Sequence, residues 1–416
     1  MKISIGRTLT SITSSKRRIA IALSGGVDSS VAAYLLCQNN TNDDFDELVG
    51  LFMNNWDARD ESSSSDAIKN YCEQSEKDFR DAQSVCDSLA IKLHRANFSS
   101  EYWINVFSPF IEEVEKGRML NPDVACNSMI KFGAMKRYAV DRLNSTHVAT
   151  GHYARLWYRE NMNAMPRDVE HGLEEDECCN DWIETWGSKS ISKNSTLFPL
   201  LLAGVDLSKD QSYFLSSVTG EAFRDVLFPL GDLSKQSYTT TTNDNEIQKE
   251  STYDLMAQAS SNITSVREIA SFANLSNAKK RESMGICFIG KRRFNHFISD
   301  YLTTTPLPGR FVCVETQSTV GTHDGSAMLL TVGQGAKISG ASQKWFVCDK
   351  DYSSGDIHVC QGTHHPALYS NELYVIDKDW SWVGMEAPPP LIEGKSVRAH
   401  CRIRHLQPLI PCEVKW

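Results

Sequence analysis

Residues 18–36 read RIAIALSGGVDSSVAAYLL, and this stretch decides the fold. An apolar run ends in a glycine turn, and a second apolar run of helical length follows it. A buried strand, a glycine turn and a helix make up a β-loop-α unit. Free backbone N–H groups at the start of such a helix, together with the helix dipole, bind anions such as phosphate.

Further strands and helices alternate along the first half of the chain. LVGLFM at 48–53, KLHRANF at 92–98 and HVATGHY at 147–153 have the composition of buried strands. Between them, apolar residues recur at three- and four-residue steps, which predicts a helix that buries Phe79, Ala82, Val85 and Leu89. This alternation predicts a doubly wound α/β domain with a parallel sheet covered on both faces.

The pattern changes from about Leu307. FVCVET, AMLLTVGQ, WFVCDK, DIHVCQ, ELYVID and SVRAHCRIR are short strand-like runs separated by turn residues. They predict a small antiparallel β barrel or sandwich. With the length of the chain, the pattern indicates three domains, at 18–205, 206–306 and 307–416.

Two polar stretches, 160–196 and 234–262, interrupt these domains, and we expect both to be surface insertions because they have little apolar surface to bury. Residues 160–190 hold nine acidic residues against Arg167 and Lys189, so this stretch carries most of the net charge of −9. A local basic face elsewhere is therefore compatible with the acidic total.

The composition predicts a soluble protein, because no apolar run approaches the roughly 20 residues of a membrane span. Twelve cysteines at irregular spacings indicate a reducing compartment, and no zinc-type ligand pattern occurs, so no metal site of that kind is predicted.

Residues 1–17 contain Lys2, Arg7, Lys16 and Arg17 and no acidic residue. This composition is typical of a mitochondrial or plastid presequence. A disordered start of a cytosolic protein has the same composition, so both interpretations stay open.

The glycine turn SGGVDSS at 24–30 differs from a kinase-type phosphate loop. That loop would end in GK[ST], whose lysine reaches the β and γ phosphates, and no such lysine follows here. SGGxDS resembles the pyrophosphate loop of ATP pyrophosphatases, which adenylate a substrate oxygen and release pyrophosphate.

Cys126 in NPDVACN at 121–127 is a candidate nucleophile. We expect a helix to begin near Ser128, and a cysteine near a helix N-terminus has a stabilised thiolate. Asp123, three residues earlier, is placed to accept a proton. The pattern alone is also typical of a buried structural cysteine.

Cys287 in SMGICFIG at 283–290 is the second candidate. It is flanked by glycines and followed by Lys291, Arg292 and Arg293, which would favour a thiolate or a persulfide anion. A packed cysteine in the apolar run ICFI is the alternative.

Several motifs together resemble the tRNA-specific 2-thiouridylase family. They are SGGVDSS, LFMNNWD at 51–57, NPDVACN, ATGHYAR at 149–155, KDQSYFL at 209–215, FPLGDLSK at 228–235 and GICFIG at 285–290, and they span nearly the whole chain apart from the insertions. The resemblance implies an ATP-pyrophosphatase domain at 18–205, a central tRNA-binding domain at 206–306 whose Cys287 motif returns to the active site, and a C-terminal β barrel.

The same resemblance assigns roles to individual residues. The residues beside ATP would be Ala22, Leu23, Ser24, Gly25, Gly26, Val27, Asp28, Ser29, Met53 and Gly151. The residues that meet the target base would be Asn121, Pro122 and Asp123, and those that contact tRNA elsewhere would be Lys209, Asp210, Gln211, Arg404 and His405, with His405 at a position where an aromatic residue is usual. Cys126 would be the nucleophile and Cys287 the persulfide carrier, with Asp123 as a further catalytic residue.

The implied reaction makes 2-thiouridine at wobble uridine 34 of the tRNAs for Lys, Glu and Gln. ATP, with Mg²⁺, activates C2, and sulfur from a cysteine desulfurase or relay protein arrives on Cys287. That sulfur attacks C2 directly or is first reduced to sulfide. Cys126 then forms a disulfide with Cys287, and a thiol reductant resets the pair. Eukaryotic members of the family are mitochondrial, so a mitochondrial location is expected, with cytoplasm or plastid as alternatives.

Two rival functions differ in what they require. An argininosuccinate-synthase-like or NAD-synthetase-like ligase would use the same ATP loop without a cysteine pair. A non-catalytic tRNA-binding or sulfur-carrier protein would retain these motifs as structural relics. The sequence ends at 411–416, where family members normally continue, so we expect either an incomplete C-terminal barrel or a truncated sequence.

Overall fold

A five-stranded parallel sheet forms the centre of the first half of the chain. The computed structural model describes residues 17–39, 47–56, 65–157, 199–235, 265–281, 294–340, 343–375, 380–383 and 389–416. The strands of the sheet are β1 Arg18–Ala22, β2 Glu47–Asn54, β3 Lys92–Asn97, β4 His147–Ala149 and β7 Val226–Leu227. In space they follow the order β3-β2-β1-β4-β7, and every neighbouring pair is parallel.

Helices cover both faces of this sheet. One face carries α1 Val27–Asn39, α2 Ser65–Leu89 and α8 Val266–Phe272. The other face carries α3 Ser99–Tyr102 and α4 Ser108–Glu115, joined by the π-helical turn Trp103–Phe107, and α5 Pro122–Ala125 and α6 Lys136–Leu143, joined by the π-helical segment Cys126–Met135. Helix α9 Phe294–Ser299 packs on this second face, and α7 Gly220–Phe223 leads into β7.

The apolar residues of β1 divide between the two faces. Ile19 and Ile21 pack into the core under α1 and α2, whereas Ala20 packs into the core on the opposite face. Side chains of a strand alternate between faces, so a strand buried on both sides has to be apolar throughout. The predicted doubly wound α/β class is confirmed. The predicted apolar positions of α2 face the same core as Ile19 and Ile21.

The order of the strands creates a switch point beside β1. Strand β1 pairs with β2 on one side and with β4 on the other, so the chain reverses direction across the sheet there. In open α/β sheets, ligands bind outside the carboxyl ends of the strands at such a point. The loops that follow β1 and β4 therefore frame the expected binding cleft.

A short antiparallel pair flanks the acidic insertion. Strand β5 Ala154–Trp157 pairs with β6 Leu200–Ala203, and the chain between these strands contains the insertion at 160–196. That insertion lies outside the described residues, as do 236–262 of the second insertion and residues 1–16.

The C-terminal part forms a second sheet. Its strands are β8 Gly309–Cys313, β9 Thr319–His323, β10 Gly335–Ala336, β11 Trp345–Lys350 and β12 Ile357–Gln361. The spatial order is β10-β11-β12-β8-β9, with β12 and β8 parallel and the other pairs antiparallel. After α10 Pro389–Ile392, a hairpin of β13 Val397–Cys401 and β14 Ile410–Val414 follows.

One predicted strand of this region is wrong. In the run AMLLTVGQ, residues Ser326–Leu329 form a 3-10 turn, preceded by Gly325 at φ +98°. Ala327, Met328 and Leu329 are consecutive and all buried, which a strand covered on one face cannot achieve because its side chains alternate. The described part of ELYVID, Glu372–Val375, also forms no strand.

The three domain boundaries remain predictions. Strand β7 and helix α8 both fall within the predicted central domain, and both pack on the parallel sheet. Among the helices of the described ranges, none combines the length and apolar character needed to cross a membrane.

Replacing Gly151 with alanine should destabilise the protein. A Cβ atom at Gly151 would lie 2.8 Å from the Ser29 backbone nitrogen and 2.9 Å from the Asp28 carbonyl carbon, so backbone would have to move. Overpacking of this kind costs about 1–3 kcal/mol. The thermal unfolding midpoint should fall clearly.

Gly335→Ala is the matched control, because the nearest atom to its added Cβ would be the Trp345 carbonyl oxygen at 3.9 Å. Equal midpoints for Gly151→Ala, Gly335→Ala and the unchanged chain would contradict the close approach of the β4 loop to α1.

Candidate active site at the switch point

The loop between β1 and α1 is a closed turn. The Gly26 carbonyl oxygen accepts hydrogen bonds from the Ser29 hydroxyl at 3.1 Å and from the Ser30 hydroxyl at 2.9 Å. The Ser24 backbone N–H donates to the Ser29 hydroxyl oxygen at 3.2 Å. The turn is therefore held in shape by its own serines, at the N-terminus of a 13-residue helix.

Gly25 is the one position in this turn that requires glycine for conformational reasons. Its φ is +72°, a left-handed conformation that costs other residues free energy. A Cβ atom there would also lie 2.2 Å from the Asp78 carbonyl oxygen on α2. The backbone of the loop consequently rests directly on α2.

The predicted nucleotide residues meet at one edge of the sheet. Ala22 ends β1, and the Leu23 N–H donates to the Leu51 carbonyl oxygen of β2 at 2.9 Å. Met53 is near the end of β2, and Gly151 follows β4 and lies against the first turn of α1. Parallel strands end at the same edge, so the sheet brings these residues to the cleft beside the Ser24–Ser30 loop.

Asp28 has two partners that the sequence analysis missed. The Lys235 ammonium forms a short ion pair with Asp28 Oδ1, and the Tyr153 hydroxyl donates to the same oxygen at 2.8 Å. Lys235 is 2% exposed, and its backbone N–H donates to Asp206 at 2.9 Å. Lys235 lies in the motif FPLGDLSK and Tyr153 in the motif ATGHYAR. Their presence in these motifs was the only sign in the sequence that they could belong to the site.

The loop is also held from residues 265–281, a second feature that the sequence analysis missed. The Asn277 side-chain amide donates to the Gly25 carbonyl oxygen at 3.0 Å and to the Ser30 hydroxyl at 2.8 Å. The Lys280 ammonium donates to the same carbonyl oxygen at 3.0 Å and pairs with Asp78 and Asp81 on α2. Burial lowers the pKa of Lys280, but these two carboxylates outweigh burial and raise it.

The helix of the NPDVACN motif begins earlier than predicted. Asn121 is the N-cap, since its side chain accepts a hydrogen bond from the Asp123 N–H at 3.0 Å, and Pro122 occupies the first helical position. Asparagine and proline both favour these positions. The expected start near Ser128 is wrong, and Cys126 lies beyond the first turn, where the effect of the helix dipole has largely decayed.

Cys126 occupies a buried position at the start of the π-helical segment. Its side chain is 2% exposed and packs in the same core as Trp56 and Ile130. The neighbouring Asn127 amide donates to the Phe214 carbonyl oxygen of the KDQSYFL segment at 2.9 Å. Cys287 falls within 282–293, outside the described residues, so its predicted role stays a prediction.

Asp123 is partly buried one turn before Cys126. Burial raises the pKa of its carboxyl, and the Lys131 ammonium acts against that rise. A carboxyl with a raised pKa is a stronger base once it is ionised. The site therefore contains a group suited to accept a proton.

The side chains of Asp210 and Gln211 are engaged inside the protein. Asp210 is fully buried and accepts hydrogen bonds from the Gly204 N–H at 3.0 Å and the Ser212 hydroxyl at 2.7 Å. Gln211 exchanges two hydrogen bonds with the Tyr153 backbone, at 2.9 and 3.1 Å. Their predicted contacts with tRNA stay predictions, while their visible role is to position this segment beside Tyr153.

The C-terminal hairpin docks on the same segment. Arg402 donates to Asp210 Oδ2 at 3.1 Å, and the His405 Nε2–H donates to the Asp210 carbonyl oxygen at 2.9 Å. The His405 ring packs on Phe214 with their centroids 4.5 Å apart. His405 thus makes a ring contact at a position where an aromatic residue was expected. Arg404 is its neighbour in the chain.

Lys235→Met should destabilise the protein by about 1–3 kcal/mol. It removes the buried cation, and the Asp28 carboxylate that it leaves behind has a side chain that is 34% exposed and keeps its hydrogen bond from Tyr153. Part of that loss should be recovered in the Asp28→Asn, Lys235→Met double variant. The measurement is a double-mutant cycle by denaturant unfolding.

The matched control is Lys395→Met, whose ion pair with Glu393 is well exposed, with the two side chains 69% and 58% accessible. It should change stability by no more than about 1 kcal/mol. A Lys235→Met loss as small as that of the control would contradict the burial of the Lys235 ammonium in this pair.

Comparison with known proteins identifies the family. Residues 17–256 match the model described as the tRNA methyl transferase HUP domain, and residues 295–361 match the tRNA methyl transferase PRC-barrel domain. Mitochondrial tRNA-specific 2-thiouridylase 1 of Mus musculus is 38% identical over 409 residues, covering 96% of this chain and 82% of that protein. The protein of the same name from Homo sapiens is 37% identical, covering 95% and 80%. The tRNA-specific 2-thiouridylase MnmA of Proteus mirabilis is 36% identical, covering 96% and 87%. The chain therefore belongs to the tRNA-specific 2-thiouridylase family.

Proposed function

We propose that this protein is an ATP-dependent tRNA uridine 2-sulfurtransferase that converts wobble uridine 34 of the tRNAs for Lys, Glu and Gln to 2-thiouridine. The products are the modified tRNA, AMP and pyrophosphate. Membership of the family supports the reaction class, and the names of the relatives supply the 2-thiouridine product. The geometry of the cleft supports the assignment of its steps to residues.

One observation carries the proposal: the Ser24–Ser30 loop and the helical run that contains Cys126 are both contacted by two consecutive residues. Gly151 lies against the Ser29 backbone, and the next residue, His152, has its Nε2 atom 3.4 Å from the Lys131 ammonium. Lys131 lies five residues after Cys126 in the same π-helical segment. A nucleotide held by the loop and a base held beside Cys126 would therefore share one cleft.

The loop fits ATP in shape and charge. The helix N-terminus and the glycine turn accommodate phosphate oxygens, as in other phosphate-binding loops. In nucleotide sites Mg²⁺ binds through one or two carboxylates plus phosphate oxygens, and Asp28 would supply such a carboxylate. The contacts of Asp28 with Lys235 and Tyr153 both use its Oδ1 atom, so the Oδ2 atom is the one that would meet the ion. Lys235 supplies, from far along the chain, the positive charge that a Walker-type lysine supplies locally.

ATP solves a leaving-group problem in this reaction. The C2 oxygen of uridine leaves poorly until its attack on the α-phosphorus converts it to AMP, with pyrophosphate released. Asp123 accepts the N3 proton of the uridine as its O2 atom attacks. Asn121 and Pro122 hold the base at the N-terminus of α5, which requires the base to be unstacked from its loop.

Sulfur transfer then uses the two cysteines. A donor protein, such as a cysteine desulfurase or a relay protein, leaves a persulfide on Cys287. The terminal sulfur of that persulfide forms a bond to C2 while AMP departs. The Cys126 thiolate next attacks the Cys287 Sγ atom, which releases 2-thiouridine and forms a Cys126–Cys287 disulfide. A thiol reductant restores both thiols.

The anchors on either side of Cys287 support its place in this scheme. Before it, Asn277 and Lys280 are fixed to Gly25, and Leu275 packs in the core under α1 and α2. After it, Phe297 and Ile298 of α9 pack in the core on the opposite face of the sheet. The described residues before and after 282–293 therefore pack on opposite faces of the sheet, and those before it are anchored at the carboxyl edge of β1.

The contacts of the hairpin support a composite tRNA surface. Lys209, Arg404 and His405 come from segments that are far apart in sequence, and the Asp210 contacts with Arg402 and His405 hold those segments together. Positive and aromatic groups at one place suit a phosphate backbone with unstacked bases. We place the protein in mitochondria, on the names of the vertebrate relatives and the basic segment 1–17.

Sulfur incorporation should depend on both cysteines and on ATP. Cys126→Ser and Cys287→Ser should each abolish the replacement of oxygen by sulfur at uridine 34, because one lacks the resolving thiol and the other the carrier. The measurement is mass spectrometry of nucleosides from tRNAs for Lys, Glu and Gln after incubation with ATP, Mg²⁺ and a persulfide donor.

Cys86→Ser is the matched control, since Cys86 is as buried as Cys126 and burial raises the pKa of its thiol to about 12. It should retain sulfur incorporation. Two results together would favour a ligase and overturn the proposal. The first is that Cys126→Ser and Cys287→Ser still release pyrophosphate in the presence of tRNA, and the second is that the unchanged protein incorporates no sulfur into tRNA.

A further inference from the structure

One side-chain amide holds both glycine carbonyl groups of the loop between β1 and α1. The Nδ2 group of Asn277 donates to the Gly25 carbonyl oxygen at 3.0 Å and to the Ser30 hydroxyl oxygen at 2.8 Å. The Ser30 hydroxyl in turn donates to the Gly26 carbonyl oxygen at 2.9 Å. Asn277 is 4% exposed, and its Nδ2 group has two protons, so both of its hydrogen bonds are made at once inside the protein.

A second donor holds the Gly25 carbonyl group. The Lys280 ammonium donates to the Gly25 oxygen at 3.0 Å, and it also donates to Asp78 Oδ1 at 2.7 Å and to Asp81 Oδ2 at 2.5 Å. An ammonium has three protons, and these three acceptors use all of them. Lys280 therefore has a fixed position between α2 and the loop.

The two held carbonyl groups fix the direction of two N–H groups. In a planar trans peptide, the N–H of one residue points away from the carbonyl oxygen of the residue before it. Because the Gly25 and Gly26 oxygens are held, the N–H groups that follow them face the opposite side of the loop. The second of these belongs to Val27, the first residue of α1, and such an N–H has no partner within its helix. Consecutive N–H groups at a helix N-terminus are the donors that bind phosphate oxygens.

The donors on the Gly25 oxygen decide which way this peptide faces. Two consecutive glycines allow the peptide between them to rotate at little steric cost. A rotated peptide would present the partial negative charge of the Gly25 oxygen to the phosphate groups. On its other side the peptide has a weaker hold, since the Gly26 N–H donates to the Ser24 hydroxyl oxygen at 3.3 Å.

We propose that Asn277 and Lys280 are positioning residues that hold the Gly25 carbonyl group away from the nucleotide phosphates, so that the N–H groups at the start of α1 receive them. This role rests on the proposed function, in which the loop binds ATP. Both residues belong to the segment 265–281, whose apolar residues pack in the core under α1 and α2. The phosphate site is therefore complete only when this segment is docked.

Asn277→Leu tests the inference by equilibrium binding, because leucine has a similar volume and no hydrogen-bond donor. One ligand is an ATP analogue with a methylene group between its α and β phosphorus atoms, which cannot release pyrophosphate. The other ligand is adenosine, which lacks the phosphates. The variant should bind the analogue about tenfold more weakly, the order expected when one positioned donor is lost. Its affinity for adenosine should be nearly unchanged, whereas a general loss of structure would weaken both ligands alike.

Two further variants separate the effect on the loop from a loss of stability. Ile269→Val removes one carbon atom from a residue of the same segment that is 2% exposed. It should lower the unfolding midpoint and bind both ligands as the unchanged protein does. Ser30→Ala removes the hydroxyl that lies between Asn277 and Gly26, and it should weaken the analogue selectively. In the Asn277→Leu, Ser30→Ala double variant the two losses should be less than additive, because the two side chains act through one set of contacts.

Binding of the analogue should also stabilise the segment 265–281, since coupling between two sites is reciprocal. The Ala278 N–H donates to the Leu275 carbonyl oxygen at 3.0 Å, and the Lys280 N–H donates to the Asn277 carbonyl oxygen at 2.8 Å. Hydrogen exchange at these two amides should slow when the analogue binds and should not slow with adenosine.

The outcomes are distinguishable. If Asn277→Leu binds the analogue as tightly as the unchanged protein does, or loses affinity for both ligands equally, the inference is overturned and the proposed function stays intact. Exchange at Ala278 and Lys280 that the analogue does not slow would also overturn it. If Asn277→Leu fails to fold, Ser30→Ala decides the question, and an unaltered affinity of that variant for the analogue would overturn the inference. Failure of the unchanged protein to bind the analogue would overturn the proposed function itself.

Discussion

The two-sided parallel pairing of β1 is the constraint on which the rest of the structure depends. Because β1 pairs with β2 on one side and β4 on the other, the loops after β1 and β4 diverge and leave a cleft between them. Gly25 and Gly151 line this cleft with backbone in close contact with neighbouring segments. Every other part of the site is positioned relative to these two loops.

Partly buried ionic contacts hold distant segments to the cleft. Lys235 reaches Asp28, Lys280 reaches Asp78 and Asp81, and Arg402 reaches Asp210. Each pair joins parts of the chain that are far apart in sequence, and each carboxylate also accepts other hydrogen bonds or lies beside the loop. Breaking such a pair leaves a charge with reduced hydration, so these contacts specify the arrangement more strongly than exposed pairs do.

The long helical run from Asn121 to Leu143 links the chemistry to the core. Its N-terminus presents Asp123 and Cys126, and its middle presents Lys131 toward His152. The π-helical geometry of Cys126–Met135 changes the residues that share a face, which is common at functional sites. The loop that contains Gly151 and His152 thereby contacts both the Ser24–Ser30 loop and this helical run.

The sequence alone predicted the fold class, four of the five strands of the parallel sheet and the family, because apolar periodicity and glycine turns act locally and the motifs are contiguous. It did not predict the two-residue strand β7. It also identified Cys126, Asp123 and the Ser24–Ser30 loop as candidates. It misplaced the helix start at Ser128, although Asn121 and Pro122 are a cap and a first-turn residue, and it predicted a strand where Ser326–Leu329 turns. Only the tertiary structure showed that Lys235, Asn277 and Lys280 converge on the loop and that Lys131 is fixed by His152. These contacts join residues separated by tens to hundreds of positions, and the burial that lowers the pKa of His152 arises only when the chain is packed.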